Sequence, residues 1–193
     1  LSDFPGQHIL ANPYTAAIDI KKMMLVFGSG MSSQIFLYST GSFADWGPGL
    51  PGASPGQYQV VTPGTAGQLG IPGQIPSMQA FLVLVTDPLT NASVTIPYSS
   101  VVPVATEMQR SKGSLNATNS DKVCTRIDLK GATFTDKMWL FTEPGCSHNF
   151  DNGWDGQKIM GSVLTPQIYA IESHGNYQIN TVDDINNTQI GFQ

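Results

Sequence analysis

The sequence predicts an all-β protein, an antiparallel β-sandwich of jelly-roll type, and three features carry that prediction. Only 12% of the 193 residues are charged, against roughly 25% in an average soluble domain. Glycine (20 residues) and proline (13 residues) are frequent, which is typical of turns between short strands. The apolar residues fall in short segments that either alternate with polar residues or run unbroken for the length of a strand. This neutral, turn-rich composition is typical of secreted β-proteins.

Short apolar segments bounded by turn residues predict the individual strands. The most hydrophobic of them, Phe81–Thr86, is a continuous apolar run and therefore predicts a strand that is covered on both faces. Thr15–Met23 instead predicts one or two helical turns. Hairpins are expected around Gly131–Thr135 and around His174 and Gly175. The predicted strands are His8–Ala11, Met23–Phe27, Gln34–Ser39, Gln57–Thr62, Phe81–Thr86, Ser93–Pro97, Ser99–Val104, Lys122–Lys130, Lys137–Thr142, Gln167–Ile171, Asn176–Thr181 and Thr188–Phe192.

The predicted domain organisation is two packed β sub-domains, over residues 1–108 and 109–193. The polar, turn-rich segment Thr106–Ser120 favours a boundary in that region, and a single continuous domain is the alternative. Residues 40–76 are rich in Gly and Pro but also contain large apolar side chains, so we expect a long, ordered loop that packs over the sheet. Because the chain starts at Leu1, we interpret it as a processed or excised piece of a longer polypeptide.

Charge and hydropathy argue against two classes of partner. The formal net charge is −5 and the only basic pair is Lys21 and Lys22, whereas proteins that bind nucleic acid cluster Lys and Arg against the phosphates. The longest apolar run, Ala80–Val85, is far shorter than the roughly 20 residues that cross a bilayer. We therefore predict no nucleic-acid partner and no membrane insertion.

The loop Phe150–Gly156 is the densest group of candidate site residues. Asp151 and Asp155, together with Asp183, predict a calcium site, because Ca²⁺ takes hard oxygen ligands; no other cofactor is predicted. The loop fails the EF-hand template at two of its ligand positions. The alternative is a structural turn in which Asp and Asn side chains accept backbone N–H groups.

The two cysteines, Cys124 and Cys146, flank the predicted hairpin. Antiparallel pairing across Gly131–Thr135 would return the chain near Cys146 towards residues 120–124, so a disulfide between them is predicted. It would close a loop of about 20 residues and stabilise the fold by roughly 3 kcal/mol in the chain-entropy model. The alternative is two thiols.

Two tryptophans in loops, Trp46 and Trp154, are the candidate ligand contacts, because aromatic faces pack against the apolar faces of sugar rings. Trp139 lies within a predicted strand and is assigned to the core. The three histidines lie in separate turn-like contexts, and no nucleophile-elbow, zinc-protease or phosphate-loop motif occurs. We predict that the protein is not an enzyme.

Several segments, taken in order, resemble a β-sandwich module of large secreted cell-surface proteins of Bacteroidota. The resemblance begins with Ile9–Asp19, which is similar to the segment NLIANPYxAPID that opens the module. It continues through nearly the whole chain. The matching segments are Ile9–Asp19, Gln74–Val83, Arg126–Gly131, Met138–Phe141, Phe150–Gly156, Pro166–Ala170, Tyr177–Asp183 and Ile190–Phe192.

This resemblance implies export by the type IX secretion system and a location on or beyond the outer membrane, as in adhesins and surface-layer or gliding-associated proteins. It supplies no catalytic residues. Members usually continue past the segment that matches Ile190–Phe192 with another strand, which a neighbouring module or a second copy could supply by β-strand addition. The preferred hypothesis is a structural, adhesive or self-assembling fibre subunit. The alternative is a carbohydrate-binding module of a secreted glycan-processing protein, with a surface glycan as its partner.

Overall fold

The computed structural model describes residues 6–23, 30–39, 57–87, 92–102, 123–131, 134–161, 163 and 165–193. These residues form thirteen β-strands and two short 3-10 turns, with no α-helix among them. The predicted all-β class with antiparallel sheets is confirmed, and it is consistent with a β-sandwich. Within the described part of the chain, no helix is long and apolar enough to span a bilayer.

The strands group into three sheets. Most of them coincide with predicted strands, with shifts of one to three residues at their ends. The strands are β1 Gln7–Ala11, β2 Ala17–Asp19, β3 Met31–Ser39, β4 Gln57–Val61, β5 Gln74–Ile75, β6 Ala80–Val85, β7 Val101–Val102, β8 Cys124–Lys130, β9 Thr135–Thr142, β10 Gly156–Gln157, β11 Ile168–Glu172, β12 Gly175–Val182 and β13 Gln189–Phe192.

The first sheet has the order β1-β6-β3-β4. Its β6 strand pairs antiparallel with β1 on one side and with β3 on the other. Phe81, Leu82 and Val83 are all buried, and since successive side chains alternate between faces, both faces of β6 are covered. The prediction from its continuous apolar run is therefore confirmed.

A small sheet has the order β5-β2-β7. The helical turns expected over Thr15–Met23 are only partly correct, because strand β2 occupies the middle of that segment and a 3-10 turn, Ile20–Met23, follows it. Pairing of β2 with both of its neighbours overrides the weak local helical signal. The predicted strand Met23–Phe27 lies mostly outside the described residues.

The large sheet has the order β13-β11-β12-β9-β8, and β10 also pairs with β12. Both predicted hairpins, β8 with β9 and β11 with β12, are confirmed as antiparallel pairs. The pairing of β12 with β9 is parallel and was not anticipated. It is sterically accessible because the segment between the two strands is far longer than the dozen residues that a parallel connection requires.

Two compact units make up the chain, and each is assembled from separate stretches. Unit 1 contains residues 1–36, 61–118 and 152–154, and unit 2 contains residues 37–60, 119–151 and 155–193. The predicted boundary between residues 108 and 109 lies in residues 103–122, outside the described residues, so it stays a prediction.

The core of the large sheet forms around side chains on three strands. Met138, Leu140, Ile168, Ala170 and Tyr177 are its buried members, and Ile127, Leu129, Phe150 and Ile185 pack against them. Trp139 is fully buried. Its assignment to the core is therefore confirmed.

Candidate functional site

Asp155 is held by the backbone on both of its carboxylate oxygens. Its Oδ2 accepts the N–H of Asp151 at 2.8 Å, and its Oδ1 accepts the N–H of Thr181 on β12 at 2.7 Å. The Asp155 N–H in turn donates to the carbonyl oxygen of Asp151 at 2.9 Å. The side chain is fully buried, and this desolvation raises the pKa of Asp155 to about 7 against the opposing effect of the two N–H donors. Asp155 thus closes the turn and ties it to the sheet.

The other two predicted calcium ligands lie in different settings. The Oδ2 atom of Asp151 accepts both the N–H and the hydroxyl of Ser147, at 2.6 and 3.3 Å. Asp183 is exposed at the end of β12. Across the described ranges, no three His, Cys, Asp or Glu side chains come together as a metal-binding group. These hydrogen bonds are the ones expected of a structural turn, which was the alternative to a calcium site. Calcium binding stays a prediction.

Residues 152–154 of the loop belong to unit 1 and make three contacts there. Asn152 Oδ1 accepts the N–H of Ser33 at 2.9 Å, and the carbonyl of Gly153 accepts the N–H of Gly64 at 2.9 Å. The carbonyl of Trp154 accepts the Thr62 hydroxyl at 3.0 Å. These bonds engage the Asn152 side chain and two backbone carbonyls of the loop with unit 1.

The indole ring of Trp154 packs directly against Gly64. A Cβ atom at Gly64 would lie 2.7 Å from Cδ2 and 2.8 Å from Cζ3 of that ring, so only glycine allows this approach. One part of the Trp154 ring is therefore occupied by the protein itself. Trp46 lies outside the described residues, and binding of a sugar by these two tryptophans stays a prediction.

The two cysteines sit at the end of the large sheet where β8 begins. Cys124 is half-buried on β8, in register with Phe141 of β9. Cys146 is buried in the turn that follows β9, and its N–H donates to the carbonyl of Glu143. The structure carries both as thiols, and the bridge between them stays a prediction.

A buried ion pair joins Lys158 to Asp136 in unit 2. The Lys158 Nζ atom lies 2.6 Å from Oδ2 and 2.8 Å from Oδ1 of Asp136, and only 2% of each side chain is exposed. Oδ2 also accepts the N–H of Ile168 at 2.8 Å. Desolvation lowers the pKa of Lys158, and the charge of Asp136 opposes that shift. Sequence reasoning missed this pair, because two charges 22 positions apart carry no local signal.

The outer edge of β13 is the place where the resemblance predicts the addition of a further strand. Gln167 and Gln193 exchange two backbone hydrogen bonds, at 2.9 and 3.0 Å, and bonded pairs alternate along an antiparallel ladder. The N–H and C=O groups of Ile190 and Phe192 therefore point away from β11. Among the described strands, none pairs with this edge.

The side chains on the same strand are apolar and uncovered. Ile190 and Phe192 are 42% and 74% exposed. They stand opposite Ala170 and Ile168, which are buried core residues, and cross-strand partners share a face of the sheet. The core face of the large sheet thus continues onto β13 and ends there without a cover from the described residues.

A cavity of about 340 Å³ adjoins this edge and is lined by Ile171, Glu172, Ser173, Asn187 and Gln189. The carboxylate of Glu172 is already engaged, since it meets His148 Nδ1 at 3.1 Å and accepts from Asn180 Nδ2 at 2.8 Å. The cavity therefore presents a satisfied carboxylate and gives no specific sign of a ligand.

The comparisons with known proteins point to one kind of molecule. The chain is 34% identical over 201 residues to the minor fimbrium subunit Mfa5 of Porphyromonas gingivalis, a cell-surface protein of Bacteroidota. The similarity is to a fimbrial protein. The alignment covers 98% of this chain but 16% of that protein, so the chain spans about a sixth of the length of its relative. No protein-family model matches the chain, and no solved structure matches it.

Proposed function

We propose that this chain is a non-enzymatic module of a cell-surface fibre protein, with a structural or adhesive role. The observation that carries the proposal is the similarity to a minor fimbrium subunit along 98% of the chain. The hydrogen bonds of the loop Phe150–Gly156 support the proposal as well. Its carboxylates and carbonyls accept hydrogen bonds from the fold itself, as expected of a structural element.

The proposed means of assembly is β-strand addition along the outer edge of β13. An incoming strand would satisfy the outward N–H and C=O groups of Ile190 and Phe192, which gives affinity through the main chain. Its own apolar side chains would continue the core face beyond these two residues. Both requirements fit a strand from a neighbouring module or from a second copy.

Export by the type IX secretion system and an origin in Bacteroidota complete the proposal. They rest on the resemblance of segments such as Ile9–Asp19 and Phe150–Gly156 to secreted modules, and on the organism of the relative. A surface location follows from both.

Immunogold electron microscopy of producing cells tests the proposal. Antibody raised against this chain should label fibres on intact cells, and labelling should disappear from cells that lack a working type IX secretion system. Cells that lack the gene for this protein are the matched control. Label confined to the cytoplasm, or absent from fibres that are otherwise normal, would overturn the proposal.

A further inference from the structure

The geometry points to an intramolecular amide (isopeptide) bond between Lys158 and Asp136, formed by condensation of the ion pair that the structure shows. This inference concerns a covalent modification and does not depend on the proposed role in a fibre. Lys158 follows directly after β10, and Asp136 is the second residue of β9.

The Lys158 amine and the Asp136 carboxyl group are already held in contact. Both Asp136 oxygens lie within 2.8 Å of the same Nζ atom. The main chain of Lys158 is fixed as well, because its N–H donates to the carbonyl of Asn176 at 2.8 Å. Groups held in this way react as if at very high concentration, which removes much of the entropic barrier to bond formation.

Water is largely excluded from the Lys158–Asp136 pair. Only 2% of each side chain is exposed, and burial away from water disfavours the charged form of the Lys158 amine. The lowered pKa of Lys158 agrees with this. An uncharged amine is the form of lysine that attacks a carbonyl carbon.

A backbone donor polarises the Asp136 carboxyl group. The N–H of Ile168 donates to Oδ2 at 2.8 Å, and a fixed backbone donor of this kind stabilises the charge that develops on a carbonyl oxygen under attack. The assignment is therefore that Oδ2 becomes the amide oxygen and Oδ1 departs.

The condensation forms one bond and breaks another. The Nζ–Cγ bond forms and the Cγ–Oδ1 bond breaks. One of the three Nζ protons of the ion pair passes to Oδ1, which frees the amine to attack. A second Nζ proton leaves with Oδ1 as a water molecule, and the third stays on the amide. No oxidant, cofactor or activating group is consumed.

Intact mass spectrometry of the purified, folded chain, denatured just before measurement, tests the bond. The expected mass is lower than that of the sequence by one water molecule, and a protease digest should contain one cross-linked peptide pair that includes Asp136 and Lys158. Lys158→Arg keeps the positive charge but removes the primary amine, and it should have the full mass. Lys130→Arg, at the exposed end of β8, is the matched control and should show the same loss as the wild type.

Two outcomes would overturn the inference. One is a wild-type mass equal to that of the sequence. The other is loss of water that persists in Lys158→Arg, or that maps to Asp155 and Gly156, where an Asp-Gly step can dehydrate by itself. The wild-type measurement decides the question even if a variant fails to fold.

Discussion

The two edge strands of the large sheet present opposite chemistry to solvent. On β8, Arg126 and Asp128 form an exposed ion pair, with Nε to Oδ1 at 2.9 Å and Nη2 to Oδ2 at 3.1 Å. On β13, the polar Gln189 is exposed together with two large apolar side chains, Ile190 and Phe192. Charged residues on an edge strand discourage pairing with another chain, whereas an apolar edge invites it. The difference teaches that, within the part of the chain that the structure describes, charge protects one edge of this sheet whereas the other edge is apolar and open.

Charging the open edge should have the largest effect. We expect Ile190→Lys combined with Phe192→Lys to reduce incorporation of the full-length protein into surface fibres by roughly tenfold or more, because lysines on an edge strand oppose strand addition. Quantitative immunoblotting of sheared fibres measures the effect. Thr125→Lys on β8 is the control and should leave incorporation unchanged. Equal loss in both variants would contradict the contrast between the edges.

Raising the pH should destabilise the large sheet, because Asp155 is bound to its β12 strand. Asp155 binds its proton more tightly in the folded state, where its pKa is about 7, than at its model value of 3.8. Its contribution is therefore fully present below about pH 4 and is lost as the pH rises through 7. We expect a decrease in the free energy of unfolding of up to about 4 kcal/mol over that range.

Urea unfolding at several pH values, compared with Asp155→Asn, measures this contribution. The variant should lack most of the slope because its amide does not titrate. Hydrogen-exchange protection at β8 and β13, corrected for the intrinsic rise of exchange with pH, should fall together in the wild type, since both strands belong to the sheet that Asp155 ties to the loop. An identical slope in wild type and variant would assign the pH dependence to other groups.

A bulky residue at Gly191 should detach the open edge alone. A Cβ atom there would lie 2.9 Å from Cζ of Tyr169 and 3.0 Å from Cδ1 of Ile171, so Gly191→Val should lower the free energy of unfolding by about 2 kcal/mol. Faster hydrogen exchange should be confined to β13 and β11. Gly161→Ala is the control, because its nearest contact would be an ordinary 3.5 Å.

Neutralising the protected edge should have the smallest effect on stability. The exposed pair of Arg126 and Asp128 contributes little, so replacing both residues by Thr should change the free energy of unfolding by less than about 0.5 kcal/mol. Light scattering should nevertheless show more self-association than in the wild type. An unchanged association state would mean that charge is not what protects β8.

The strands that the sequence located correctly are those with local signals. Alternation and a short turn sufficed for the β8–β9 and β11–β12 hairpins, since both partners lie a few residues apart. The parallel pairing of β12 with β9 has no such signal. Its direction depends on how a long connection crosses the sheet, which residue types alone do not encode.

The site was predictable only as far as its residues lie close in sequence. The alternative of a structural turn anticipated that Asp151 and Asp155 would accept backbone N–H groups. The contact of Trp154 with Gly64 and the pair of Lys158 with Asp136 join residues from distant positions. They arise from tertiary packing, and a single sequence does not indicate which distant residues will meet.

The parallel alignment of β9 and β12 has a mechanical consequence. Once β8 and β13 have been pulled from the two edges of the sheet, further tension along the chain would draw β9 towards its N-terminal end and β12 towards its C-terminal end. Because the strands run in the same direction, these forces are opposed along a shared axis. The hydrogen bonds between Trp139–Thr142 and Ile179–Val182 would then be loaded together in shear instead of being unzipped one at a time, a geometry that suits a link under tension.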